Sequence, residues 1–306
     1  MPLIGVTVEG TTPVAHGTPE PLSEVLSRNI SALPQGAPIV VLIHGYKYSP
    51  FVPGRNPHET LLSLDPHSDM ARVVSWPRHL GFGTDDAAEG LCISLGWHAR
   101  GRLKTVFDMA PDAGLALAKV LGMIQRPVSI LTHSMGARVA LTALPHANAG
   151  SVRRLVMLSA ADYQSTAAAA LTSPAGQAAE FVNVTSREND LFDFLLDLGV
   201  NAPWVDRTLG HGLLGSHDNW LDIQLDDASA LDGLGRLGYP IEPARNLVCH
   251  WSTYLRPGAL AFYAALMRNA DRIPLPWLKD ALPGTSTPRW SRFRARKQAS
   301  RALQPG

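Results

Sequence analysis

The sequence predicts an α/β protein: a mostly parallel central sheet with helices on both faces. Three observations carry that expectation. Apolar runs of strand length alternate with longer segments of helical periodicity along most of the 306 residues, as when each strand is followed by a crossover helix. Ile39-Val40-Val41-Leu42-Ile43 is an uninterrupted apolar run, as a parallel strand buried on both faces requires. Residues 128–141 read as a strand, a very tight turn and a helix in immediate succession.

The elements follow in order. Ile4 to Val8 reads as a first strand. Pro21 to Leu33 reads as an amphipathic helix with Leu22, Val25, Leu26, Ile30 and Leu33 on one face. After the strand at 39–43, residues 47–90 are rich in Pro, His, Asp and Gly and form a long excursion holding a short helix or strand. Leu91 to Trp97 is the next strand. Thr105 to Gln125 is helical, with Pro111 starting or kinking it. Val128 to Leu131 is a strand, Met135 to Leu144 a helix and Val152 to Leu158 a strand. Ala167 to Ala179 is a helix and Phe181 to Val184 a strand. Residues 191–246 are less regular, with a strand at Leu221 to Leu225, and Ala259 to Asn269 is a helix. There is no internal repeat. The expected organisation is one domain over residues 1–280, with 191–246 as a cap or pocket wall, and a basic tail over 281–306.

The bulk numbers narrow the function. A hydrophobic fraction of 45% and a net charge of +1 fit an ordinary globular chain with no general pull toward nucleic acid or membranes. The charge is uneven: six basic groups and no acid lie in 286–306, leaving 21 basic against 26 acidic groups elsewhere. Such an end reads as a solvated tail outside the core. Cys92 and Cys249 sit in apolar, strand-like runs and read as buried free thiols. The start shows no leader pattern and no apolar stretch is long enough to span a bilayer, so the expected location is cytoplasmic. No metal-ligand spacing, phosphate loop or dinucleotide fingerprint is present, so no metal or cofactor is expected. His58, His67 and Asp69 lie close in sequence but lack helical His pairing. Aromatic residues meet basic ones only at Trp290 and Phe293, too little for nucleic-acid binding.

In a mostly parallel sheet, ligands bind at the carboxyl ends of the strands. The most informative segment there is Thr132-His133-Ser134-Met135-Gly136. A serine on a strand-to-helix turn needs a strained backbone to raise its hydroxyl above the sheet, and small neighbours because strand and helix nearly collide. Gly136 supplies one; Thr132 stands where the other glycine of Gly-x-Ser-x-Gly is usual. Taken alone, the serine also reads as a helix N-cap. Upstream, Ile43-His44-Gly45-Tyr46 ends the buried run with a sharp turn. Together these motifs resemble the nucleophile elbow and the His-Gly oxyanion turn of α/β-hydrolases. Motif order and spacing carry the resemblance over roughly residues 36 to 270.

That resemblance implies Ser134 as nucleophile, with the Tyr46 and Met135 amides as oxyanion donors. It also implies the chain order serine, acid, histidine. Asp190 follows the later strand and is the favoured acid; Glu188 and Asp162 are alternatives. Among the later histidines, His250 is favoured because His250-Trp251-Ser252-Thr253-Tyr254 resembles the histidine loop of a poorly characterised bacterial group; His217 and His211 are alternatives. Phe192, Phe194, Trp204, Leu214 and Trp251, with Tyr46 and Tyr48, are expected to line an apolar acyl or aryl pocket. The expected function is a serine hydrolase acting on small-molecule carboxylic esters. An amidase or thioesterase on the same triad and a catalytically inert binding protein of this fold are the alternatives.

Overall fold

Among the described residues, eight strands form a single sheet. The computed structural model describes residues 2–67, 72–86, 88–200, 205–282, 284 and 287–293. In chain order the strands are β1 (Leu3–Glu9), β2 (Thr12–Ala15), β3 (Ile39–Ile43), β4 (Leu91–Gly96), β5 (Val128–His133), β6 (Val152–Leu158), β7 (Glu180–Thr185) and β8 (Trp220–Gln224). They lie side by side as β2-β1-β4-β3-β5-β6-β7-β8. Only β2, folded back on β1, is antiparallel; all other pairings are parallel. The predicted α/β class is therefore the observed one. Strand β2 carries no alternation that marks it in sequence, and its Pro13 is tolerated because it sits on the sheet edge.

The helices are α1 (Leu22–Ser31), α2 (Trp76–His79), α3 (Leu103–Ile124), α4 (Gly136–Ala143), α5 (Gln164–Thr172), α6 (Pro174–Ala178), α7 (Asp190–Val200), α8 (Ala228–Arg236), α9 (Ser252–Leu255), α10 (Ala259–Arg268) and α11 (Leu275–Ala281). The two-residue period of the strands divides them between two apolar layers. Ile39, Val41 and Ile43 pack with Leu26 of α1, Leu117 of α3 and Val139 of α4. Val40 and Leu42 face the other way, toward Trp76 of α2, Phe262 of α10 and Leu278 of α11. Each such side chain contributes about 1.5–3 kcal/mol by leaving water. Among the described residues, no helix is long and apolar enough to cross a membrane.

Several expectations need correction. Pro111 does not start α3: it lies inside the helix, which begins at Leu103 and runs over 22 residues. The helix expected at 167–179 is two helices. Ser173 is extended, its hydroxyl accepts from the Gly176 N–H at 3.0 Å, and Pro174 opens α6. The run 247–250 is loop, and Cys249 is only partly buried in it, whereas Cys92 is buried within β4. Residues 191–246 are not one excursion, since β8 and α8 belong to the sheet and its flanking layer. The tail is not wholly outside the body either. The Arg289 side chain is 11% exposed and paired with Asp197, and the Trp290 N–H donates to Asp190. Residues 294–306 lie outside the described residues.

The strand order creates one position suited to a ligand. From β3 the chain moves to β4 on one side; from β5 it moves to β6 on the other. Loops leaving these two neighbours diverge, and a crevice opens above their carboxyl ends. Those ends are Ile43 and His133.

Candidate active site

Ser134 follows β5 directly with φ +56°, a left-handed conformation that costs a non-glycine residue about 1–3 kcal/mol. The end of β6 holds it there. The Ser134 N–H donates to the Leu158 carbonyl (2.9 Å), and the Ser134 carbonyl accepts from the Ala161 N–H (3.1 Å). Two glycines allow the turn to nest against β3. A Cβ on Gly136 would lie 2.7 Å from the Ile43 oxygen, and one on Gly45 would lie 2.7 Å from the Ser134 Cβ. Thr132 needs no such allowance: it is still within β5, in register with Ile43 and Met157. Its buried hydroxyl has no partner among the described residues.

The two residues whose amides are expected as oxyanion donors, Tyr46 and Met135, line one cavity with Ser134. Met135 immediately precedes α4, so its N–H is one of the free amides of the helix start. Tyr46 is aimed by His44, which sequence reading treated only as a turn marker. His44 is fully buried, and burial lowers its pKa to about 4, so the ring is neutral. Its Nε2 accepts from the Trp97 N–H (3.0 Å), which leaves Nδ1–H to donate to the Gly45 carbonyl (2.9 Å). In a planar trans peptide the N–H points opposite the C=O. The Tyr46 N–H therefore faces away from His44, and Tyr46 lines the cavity over Ser134.

His250 lines the same cavity as Ser134. Its loop is tied down by Glu188, whose carbonyl accepts from the Cys249 N–H (2.9 Å) and whose carboxylate accepts from the Asn246 N–H (3.0 Å). The carboxylate also pairs with Arg256. From β5, His133 donates Nε2–H to the His250 carbonyl (3.0 Å); burial lowers its own pKa to about 4. Burial and, secondarily, His133 hold the His250 pKa well below its ordinary value, so the ring is the neutral form a general base needs. Among the described residues, no hydrogen bond joins the Ser134 hydroxyl to His250.

The group on His250 Nδ1 is Asn189, not Asp190. Asn189 Oδ1 lies 2.6 Å from Nδ1. Asp190 turns away: Oδ2 accepts from the Trp290 N–H (2.6 Å) and Oδ1 faces Arg187 (3.2 Å). The polar turn after β7 does reach His250, but one residue along it points elsewhere, and the partner that captures Asp190 is Trp290 of the C-terminal segment. The other candidates have separate employment. Asp162 is paired with Arg138 (2.7 Å) and Glu188 with Arg256. His211 lines a different cavity near β7 and β8, and the His217 ring reaches the Leu214 carbonyl.

The cavity over Ser134 measures about 300 Å³ and is walled largely by aromatic and aliphatic side chains. Phe192 and Trp251 line it as expected, with Tyr46 and Tyr48, and Phe192 stacks on His250 (centroids 4.7 Å apart). Phe194 does not; it is 37% exposed and packs edge-on against Trp290. Leu214 is 64% exposed and is not in the wall either. Trp204 lies outside the described residues. Wall residues that sequence did not mark include Trp76, from the long excursion, and Leu103, at the start of α3. No group of three or more His, Cys, Asp or Glu side chains among the described residues is placed to hold a metal ion.

Compared with known proteins, the chain matches no family model and no curated sequence.

Proposed function

We propose that this protein is a serine hydrolase of the α/β-hydrolase type that cleaves carboxylic esters with an uncharged, apolar acyl or aryl group. One observation carries the reading. A serine in left-handed backbone conformation at the switch point shares one apolar cavity with a neutral histidine and with Tyr46 and Met135, whose amides are candidate oxyanion donors.

The chemistry follows from those groups. Ser134 Oγ attacks the ester carbonyl carbon and passes its proton to His250 Nε2. The carbonyl oxygen gains the charge and accepts from the Tyr46 and Met135 N–H groups. His250 returns the proton to the departing alcohol as the C–O bond breaks, leaving an acyl-serine. Water then repeats the sequence and releases the acid. Asn189 Oδ1 accepts from Nδ1–H and so keeps the Nε2 lone pair toward the serine. A neutral amide in this place has a counterpart in the Cys-His-Asn form of the triad.

Thioester or amide hydrolysis uses the same groups. The inert binding reading has one observation in its favour, the absence of a carboxylate directly on His250. Steady-state kinetics on p-nitrophenyl esters of increasing acyl length test the proposal. Ser134→Ala should abolish turnover apart from residual binding effects. Each added methylene should raise kcat/KM by about fourfold until the cavity is filled, from about 0.8 kcal/mol per buried CH₂. Turnover unchanged in Ser134→Ala, or preference for charged acyl groups, refutes it.

A further inference from the structure

Asn189 can serve His250 in only one of its two amide orientations. If the oxygen faces Nδ1, the ring proton sits there and Nε2 is free to act as base. If the NH₂ faces Nδ1, the proton must move to Nε2 and the base is lost. Something must therefore choose the orientation, and the neighbouring turn of α7 carries the choice.

Asp193 is four residues after Asn189, so the helix sets its carboxylate beside the amide. Asp193 Oδ1 accepts from Asn189 Nδ2 at 3.0 Å, and both residues are 3% exposed. An ionised carboxylate has no proton to donate. Toward Asn189 it can therefore only accept, which draws the amide NH₂ to itself and turns the Asn189 oxygen toward His250. On its far side Asp193 faces the Arg289 guanidinium, with Nη2 3.9 Å from Oδ2. Arg289 is itself fixed by Asp197 (3.0 Å) and the Thr208 hydroxyl (2.7 Å). Space for the carboxylate comes from Gly210, where any Cβ would collide with Asp193.

We propose that Asp193, held by Arg289 of the C-terminal segment, is a positioning residue that fixes the Asn189 amide and through it the catalytic tautomer of His250. The negative charge that a triad normally places on the histidine is thereby set one residue back. Burial pushes the Asp193 carboxyl up to about 7, and Arg289 and then Arg187 oppose that rise; the ionised form that fixes the amide is thus the one present above that pH, where the tautomer is to be read. The proposal rests on the hydrolase reading for its consequence, though not for its geometry.

The test reads the His250 tautomer directly, by ¹⁵N correlation NMR on the imidazole, beside ester kinetics and fluorophosphonate labelling. In the wild type Nδ1 should carry the proton and Nε2 should be unprotonated. Asp193→Asn can present either end of its own amide. It should shift protonation toward Nε2 and lower kcat by about tenfold or more while KM changes little. The exchange N189D/D193N places an acceptor-only group on His250 and a donor behind it; it should restore the Nδ1–H tautomer and recover kcat above that of Asp193→Asn. A role in folding alone predicts neither the tautomer shift nor its recovery. A wild-type proton on Nε2 overturns the proposal even if the variants fail to fold. So does an Asp193→Asn enzyme with unchanged tautomer and kcat. A wild type that shows the Nδ1–H tautomer but takes no label at Ser134 sinks the hydrolase reading and leaves the positioning intact.

Discussion

Gly45 and Gly136 set how closely β3 can approach the serine turn, so adding one methyl group at either should damage the site measurably. A Cβ at position 45 would meet the Ser134 Cβ at 2.7 Å and the His133 oxygen at 2.8 Å; at position 136 it would meet the Ile43 and His44 oxygens at 2.7 and 2.8 Å. All but one of these partners are backbone, and the exception is the nucleophile itself. Relief requires β3 and the turn to separate by about 0.5 Å. Overpacking of this kind costs about 1–3 kcal/mol. The same separation moves Ser134 relative to the Tyr46 N–H, and a misplacement of about 1 Å can cost 10²-fold in rate; half of it predicts about tenfold. Gly122 in α3 is the control, because a Cβ there meets nothing within 4 Å. Gly122→Ala should gain about 0.5–1 kcal/mol and leave activity unchanged. Urea midpoints and ester kcat for the three alanine variants decide. Wild-type values for both in Gly45→Ala would refute the nesting argument.

Three further outcomes follow from buried groups. Thr132→Val removes a buried, unpartnered hydroxyl at nearly constant shape and should leave stability unchanged or raise it by about 1 kcal/mol, read as a urea midpoint; a loss above about 2 kcal/mol contradicts this. Burial lowers the His133 pKa from 6.5 to about 4, so between those values the unfolded chain binds the extra proton. Stability is thus lost as pH falls from 6.5 toward 4. His133→Gln should escape that loss, closing the wild-type advantage by about 2–3 kcal/mol between pH 7 and pH 4.5; a pH-independent difference would count against it. Arg289→Met strips its cation from Asp197 and Asp193 and should destabilise by about 3–5 kcal/mol in denaturant unfolding, whereas a truly solvated tail arginine would give no effect.

The centre of the sheet was legible because β3, β4 and β5 are short, apolar and buried throughout, and because α3 and α4 follow β4 and β5 with clear helical character. The serine turn was legible because strand, turn and helix are contiguous over residues 128–143, so its pattern is local in sequence. What was not legible depends on contacts between distant segments. Asp190 looks like the acid from its place after β7, but the Trp290 N–H, 100 residues away, claims it. Asn189 sits in the same turn and carries no charge to mark it. The aim of the Tyr46 amide rests on His44, whose partner is Trp97, 53 residues on. Leu214 and Phe194 share the apolar character of the cavity wall, yet apolar composition does not say which face of a segment is turned inward. The basic residues of the C-terminal segment read as solvated because the buried acids that receive Arg289 lie on α7, far away in the chain.

The central claim is that Ser134 is an activated nucleophile, and covalent capture tests it without any assumption about substrate. A fluorophosphonate should react with the folded protein to one phosphonyl group per chain, located by peptide mass spectrometry on Ser134. The adduct should be absent from Ser134→Ala and strongly slowed in His250→Ala. A folded wild-type protein that takes up no phosphonate, or takes it up equally in Ser134→Ala, would contradict the account.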